Sequence, residues 1–138
     1  RETKAATFFQ GNADKALRYA ELLATQGIEW GLIGPAEADR IWERHVENCL
    51  PLISLLPPHT DQEREGTRKT LADIGSGAGL PGIVIALARP DFAITLIEPI
   101  PRRTQFLQEV LKELELRVRR SKRDSIWWWH AQWPPFRV

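Results

Sequence analysis

The stretch DIGSGAGLPG, residues 73–82, sets glycines at 75, 77, 79 and 82 directly after the short apolar run LADI, 71–74. Glycines in alternation behind a strand permit positive φ and let a ligand come close to the backbone. GIVIALA, 82–88, follows as an apolar helix ended by Arg89-Pro90. The start of that helix offers free N–H groups and the positive end of a dipole. FAITLIE, 92–98, reads as a buried strand that finishes on Glu98. Pro101 opens a further helix, on which Phe106, Leu107, Val110, Leu111 and Leu114 form one apolar stripe. Strand, glycine turn, helix, strand, helix predicts the opening half of a parallel, Rossmann-like α/β sheet. A third strand is expected near Arg117, yet RVRRSKRDS is a poor candidate for a buried strand.

Upstream the period changes. Residues 13–26, ADKALRYAELLATQ, carry Leu17, Ala20 and Leu23/Ala24 at helical spacing, with Gly27 as the expected stop. IEWGLIGP reads as a turn-rich connector. Pro35 suits a first helical position, and 36–50 read as a second helix with Ile41, Trp42, His45, Val46, Cys49 and Leu50 on one broad face. Pro51 disturbs this pattern before Pro57-Pro58. Residues 57–70, PPHTDQEREGTRKT, read as a surface loop. The chain thus divides into a helical segment 1–56, a loop 57–70, the first half of a cofactor-binding sheet domain 71–116, and a tail 117–138.

Composition narrows the function. Of 138 residues, 43% are hydrophobic, which suffices for a core in one domain. No apolar run approaches the roughly 20 residues of a membrane-spanning helix, and RETKAATFFQG at the start has no signal-peptide apolar region. The single Cys49 cannot form an internal disulfide and fits a reducing cytoplasm. No CxxC or His pair stands at metal spacing, so no metal site is expected. The sequence starts at Arg1 and has no methionine, which points to a piece of a longer protein. The net charge of +1 conceals an asymmetry: residues 1–116 sum to −4 and residues 117–138 to +5.

The turn and Glu98 together point to a cofactor that contains a nucleoside. An acid at the end of the second strand, about nineteen residues beyond Gly79, can accept both ribose hydroxyls. Two cofactors compete. Gly77-Ala78-Gly79-Leu80-Pro81-Gly82 satisfies the G-x-G-x-x-G dinucleotide fingerprint, which would make the chain a fragment of an oxidoreductase. The acid just ahead of the turn, Asp73, is less welcome beside a pyrophosphate. It is tolerable beside S-adenosylmethionine, which brings a sulfonium, an amino group and no phosphate. The pattern D-x-G-x-G-x-G is similar to that of class I S-adenosylmethionine methyltransferases. No GK[ST] follows the glycines, so a nucleoside-triphosphate loop is excluded.

The longer run DIGSGAGLPGIVIALARPDFAITLIEPIPRRTQFLQEVLKEL resembles the RsmG (GidB) family of bacterial methyltransferases, and RHVENC, 44–49, resembles that family's Arg-His helix motif. The resemblance spans roughly residues 13–116 and implies a class I methyltransferase fold with an N-terminal helical segment. It implies S-adenosylmethionine as cofactor and N7 of a guanine in 16S ribosomal RNA of the small subunit as the target. It further implies a cytoplasmic protein, monomeric at full length, without membrane association. By position, Asp73, Gly75, Ser76, Gly77, Gly79 and Leu80 fall in the cofactor turn and Glu98 on the ribose. Arg44 and His45 fall toward the substrate, and Arg102 and Arg103 could meet RNA phosphates. No catalytic residue is assigned, since N7 loses no proton before it attacks.

The tail departs from the family. Four of the six tryptophans, Trp127, Trp128, Trp129 and Trp133, stand in it. Tryptophan has the single codon TGG. Read two bases later, WWWHAQWPP gives Val-Val-Ala-Arg-Ala-Val-Ala-Pro with C or G at the free third positions, which is the run the family carries further on. Residues from about 119 onward are therefore expected to be an out-of-frame translation, and the chain as written a truncated, inactive form with weak cofactor binding. The competing expectation is a non-enzymatic RNA-binding module that uses the basic, Trp-rich tail.

Overall fold

The computed structural model describes residues 1–58 and 69–116. The tail expected at 117–138 and most of the loop expected at 57–70 lie outside the described residues. Lys69 and Thr70 belong to a strand rather than to that loop, which shortens it at its far end.

The N-terminal segment is helical almost throughout. Helix α1, Glu2–Phe9, precedes a 3-10 turn, Gln10–Asn12, and helix α2, Ala13–Leu22. Asp14 in the first turn of α2 complements the helix dipole, and Ala16, Tyr19, Ala20 and Leu22 are buried on one side. The expected stop at Gly27 is corrected. A π-type turn, Leu23–Gly27, carries the helix on to Glu29, and the chain leaves it at Gly31, where φ is +69°. Gly27 serves packing instead: a Cβ there would lie 3.3 Å from Ile33 Cγ1.

The second expected helix exists but is not regular. Pro35–Arg40 form a 3-10 helix, Trp42–Val46 a π-type turn, Glu47–Cys49 a 3-10 turn, and Leu50–Leu55 helix α3. Pro51 does not break it, because it sits in the first turn of α3, where its missing N–H is no loss. The Leu50 N–H closes on the Glu47 carbonyl just before it. The expected face is confirmed: Ile41, Trp42 and Val46 are buried and His45, Cys49 and Leu50 half-buried.

The sheet has two parallel strands, β1 at Lys69–Ile74 and β2 at Phe92–Ile97, with Leu71 opposite Ile94 and Asp73 opposite Leu96. Helix α4, Gly82–Ala88, makes the crossover, and helix α5, Pro101–Glu113, follows β2. Parallel strands need such a crossover. Ile83, Val84, Ile85 and Leu87 of α4 are buried between the sheet and the N-terminal helices. On α5 the stripe falls as expected, with Phe106, Leu107, Val110 and Leu114 buried. Phe9 meets Trp42 and Trp30 meets Phe106 edge to face, so one core joins the helical segment to the sheet half.

Candidate functional site

The glycine turn forms at the carboxyl ends of both strands. Gly75, Gly77 and Gly79 have φ of +78°, +57° and +96°. Only glycine accepts such values in succession at little cost. The turn is fastened at its base, where Gly75 N–H and Ser76 N–H both donate to the Ile97 carbonyl, at 2.7 and 3.1 Å. Gly79 and Leu80 N–H groups return to the Ser76 carbonyl, and Ser76 Oγ donates to the Asp73 carbonyl at 2.9 Å.

The two acids flank this turn. Glu98 is 2% exposed. Its Oε2 accepts from Gly77 N–H at 2.7 Å and its Oε1 from Ile100 N–H at 3.0 Å. The Arg103 guanidinium lies 3.8 Å from Oε2. A buried carboxylate is costly unless it is so partnered. Asp73 turns the other way, and its Oδ2 accepts from Gly82 N–H at 3.0 Å, at the start of α4. Burial pushes the Asp73 carboxyl above the usual carboxylate range, against the pull of the Gly82 N–H, and the Glu98 charge adds to the rise.

The glycines fall into two kinds. At Gly75 a Cβ would meet nothing within 4 Å, and at Gly77 only the Gly75 carbonyl at 3.9 Å. Among the described residues, the backbone there faces open space. At Gly79 a Cβ would strike Ile83 Cδ1 at 2.4 Å, and at Gly82 it would strike Leu96 Cδ2 at 2.3 Å and Asp73 Oδ2 at 2.6 Å. Those two glycines let α4 approach the sheet.

The structure therefore brings Asp73, Gly75, Ser76, Gly77, Gly79, Leu80, Glu98 and Arg103 into one locality. Arg102 lies close by, with its guanidinium over Gly31. Arg44 and His45 belong to a second cluster on the helical segment. Arg44 Nη1 donates to Glu37 Oε1 at 2.6 Å, and His45 Nε2 stands 3.5 Å from Glu37 Oε2. Glu37 was not singled out in the sequence, nor was Tyr19, whose hydroxyl donates to the Ala78 carbonyl at 2.8 Å. The signal for Tyr19 was present: a phenol on the apolar face of a helix must find a partner for its O–H.

The GidB family model, described as rRNA small subunit methyltransferase G, matches residues 12–124. A protein named ribosomal RNA small subunit methyltransferase G from Acidothermus cellulolyticus is 52% identical over 113 residues, covering 80% of this chain and 47% of the relative. Its namesake from Mycolicibacterium smegmatis is 52% identical over 114 residues, covering 83% and 45%. That from Salinispora arenicola is 44% identical over 128 residues, covering 90% and 49%. The chain spans about half the length of the curated relatives it matches.

Proposed function

The chain belongs to the GidB family of rRNA small subunit methyltransferases, and on that premise we propose that residues 69–116 form the cofactor-binding half of an S-adenosylmethionine-dependent RNA methyltransferase. One observation carries the reading. Gly75 holds a positive φ with, among the described residues, open space where a side chain would stand, beside an acid buried at the end of β2. That is the shape a nucleoside cofactor needs, with backbone in contact and a carboxylate beside the ribose. Asp73 precedes the turn in the sequence, and an acid there is easier to reconcile with a cationic cofactor than with a pyrophosphate.

The substrate in this reading is N7 of a guanine in 16S ribosomal RNA, in the cytoplasm. Bound S-adenosylmethionine supplies an electrophilic methyl on a sulfonium. Guanine N7 carries a lone pair and no proton, so the chain provides no general base. Its residues hold and align the reactants and keep water away. Arg103, beside Glu98, and Arg102, beside Gly31, suit phosphate contacts. Arg44, held by Glu37, and the neighbouring His45 belong to the RNA side.

Calorimetric titration of the chain with S-adenosylhomocysteine and, separately, with NAD tests the cofactor. Heat of binding with the first and none with the second is expected, and the reverse overturns the reading in favour of a dinucleotide enzyme. For the substrate, unmethylated small subunits are incubated with labelled S-adenosylmethionine and a full-length relative, with and without this chain as competitor. Inhibition of N7-guanine labelling by the chain is expected. A chain that binds the cofactor analogue but leaves labelling untouched would remove RNA contact from this half.

A further inference from the structure

We infer that Tyr19, on the N-terminal helical segment, is a positioning residue of the cofactor turn, so that this segment is a working part of the site rather than an appendage to it. The inference rests on the cofactor reading above for its consequence, though not for its geometry. Tyr19 is 0% exposed and is the largest fully buried side chain among the described residues. Its hydroxyl donates to the Ala78 carbonyl across fifty-nine residues of sequence. Ala78 lies between Gly77 and Gly79, both at positive φ. The bond therefore fixes a peptide in the middle of the most conformationally permissive stretch of the chain.

The contact is close on a second count. A Cβ on Gly79 would stand 3.0 Å from the Tyr19 oxygen, so the phenol occupies the room that the glycine leaves. Burial pushes the phenol well above its usual range, with the nearby Cys49 and Asp73 adding to the rise, so Tyr19 stays a neutral donor at any ordinary pH. The turn has its own fastenings at the base, to Ile97, and at Gly77, to Glu98. Without Tyr19 the described bonds of the crest, from Ala78 to Leu80, would be the local ones to Ser76 and the one from Ile83 N–H to the Gly79 carbonyl.

The same segment grips the other end of α4. Asn12 Nδ2 donates to the Leu87 carbonyl at 2.9 Å, in the last turn of that helix, where carbonyls lack helical partners. Asn12 and Tyr19 thus hold α4 and the turn that leads into it from both ends. A ligand bound against the turn would meet a backbone whose shape is set in part from the helical segment. Pre-forming that shape lowers the ordering cost of binding.

Tyr19→Phe keeps the ring and removes the O–H, leaving a buried carbonyl without its donor. Amide hydrogen exchange of the unliganded chain is the first readout. Exchange at Gly79, Leu80 and Ile83 is expected to rise about tenfold, the effect of one lost hydrogen bond, with Leu107 and Val110 of α5 unchanged. Asn12→Ala is the companion variant. It should speed exchange at the end of α4 and leave the turn as it was. The second readout is S-adenosylhomocysteine affinity, expected to fall about tenfold in Tyr19→Phe and to hold within twofold in Asn12→Ala. Unchanged turn exchange in Tyr19→Phe overturns the inference, as does a rise of the same size in turn and α5 together. Local loosening with unchanged affinity also overturns it. If the parent chain binds no S-adenosylhomocysteine, the cofactor reading fails instead, and the exchange pattern alone decides whether Tyr19 positions the turn.

Discussion

At Gly75 a side chain would meet none of the described residues within 4 Å, whereas seven residues later, at Gly82, it would lie 2.3 Å from Leu96 Cδ2. One turn thus holds glycines of two kinds. Gly75 and Gly77, nearer the strand, leave the backbone bare toward open space. Gly79 and Gly82, nearer the helix, leave no space at all and let α4 seat against β2 and Tyr19. The first pair concerns what the turn can bind and the second what holds it up. Substitutions should therefore separate the pairs: loss of stability on the helix side, loss of binding on the strand side.

The largest effect is expected at Gly79. Alanine there combines a φ of +96° with overlap on Ile83, which is fully buried. Strain and overpacking each cost about 1–3 kcal/mol, so Gly79→Ala should lose about 3 kcal/mol in urea unfolding. A loss under about 1 kcal/mol would mean that α4 can shift and that the packing role is misassigned. Gly82→Ala follows at about 2 kcal/mol, since its backbone is ordinary helix but its Cβ would crowd Leu96 and the Asp73 carboxylate. Gly75→Ala should cost about 1 kcal/mol of stability, from φ alone. Its S-adenosylhomocysteine affinity should nevertheless fall more than tenfold, because the new methyl enters the open space. Equal loss of stability and of affinity at Gly75 would erase the distinction between the pairs.

Much of this was legible before any coordinates. The alternation of glycines behind LADI gave the turn, GIVIALA and FAITLIE gave helix and strand to within a residue, and Pro101 marked the start of α5. Period and punctuation carry local structure well where one face is buried. The sort of each glycine was not legible. Gly75 and Gly79 are the same residue four positions apart, and only the neighbours brought by tertiary packing tell them apart. Gly27 was misread for the same reason, since a stop and a close contact look alike in sequence. Tyr19 and Ala78 lie fifty-nine residues apart, and nothing local links them. Glu98 was legible as the acid that follows β2. Its hold on Gly77 N–H, which ties that acid to the turn itself, needed the fold.

The smallest effect concerns Asp73, which works for the packing half of the turn although it stands among residues read as binding ones. Its carboxyl accepts from Gly82 N–H, and burial pushes its protonation above the usual range. Between the unfolded and folded values the folded chain holds more protons than the unfolded chain, so stability from this group falls as pH rises through that window. At neutral pH the buried charge is a net cost that the hydrogen bond only partly offsets. Asp73→Asn keeps an oxygen for Gly82 N–H and cannot titrate. Its unfolding free energy should therefore decline less than the parent's between acid and neutral pH, as read from urea midpoints at a series of pH values. Parallel curves for the two chains would show that Asp73 is solvated well enough to titrate normally. Its carboxylate would then face the binding half of the turn rather than the helix.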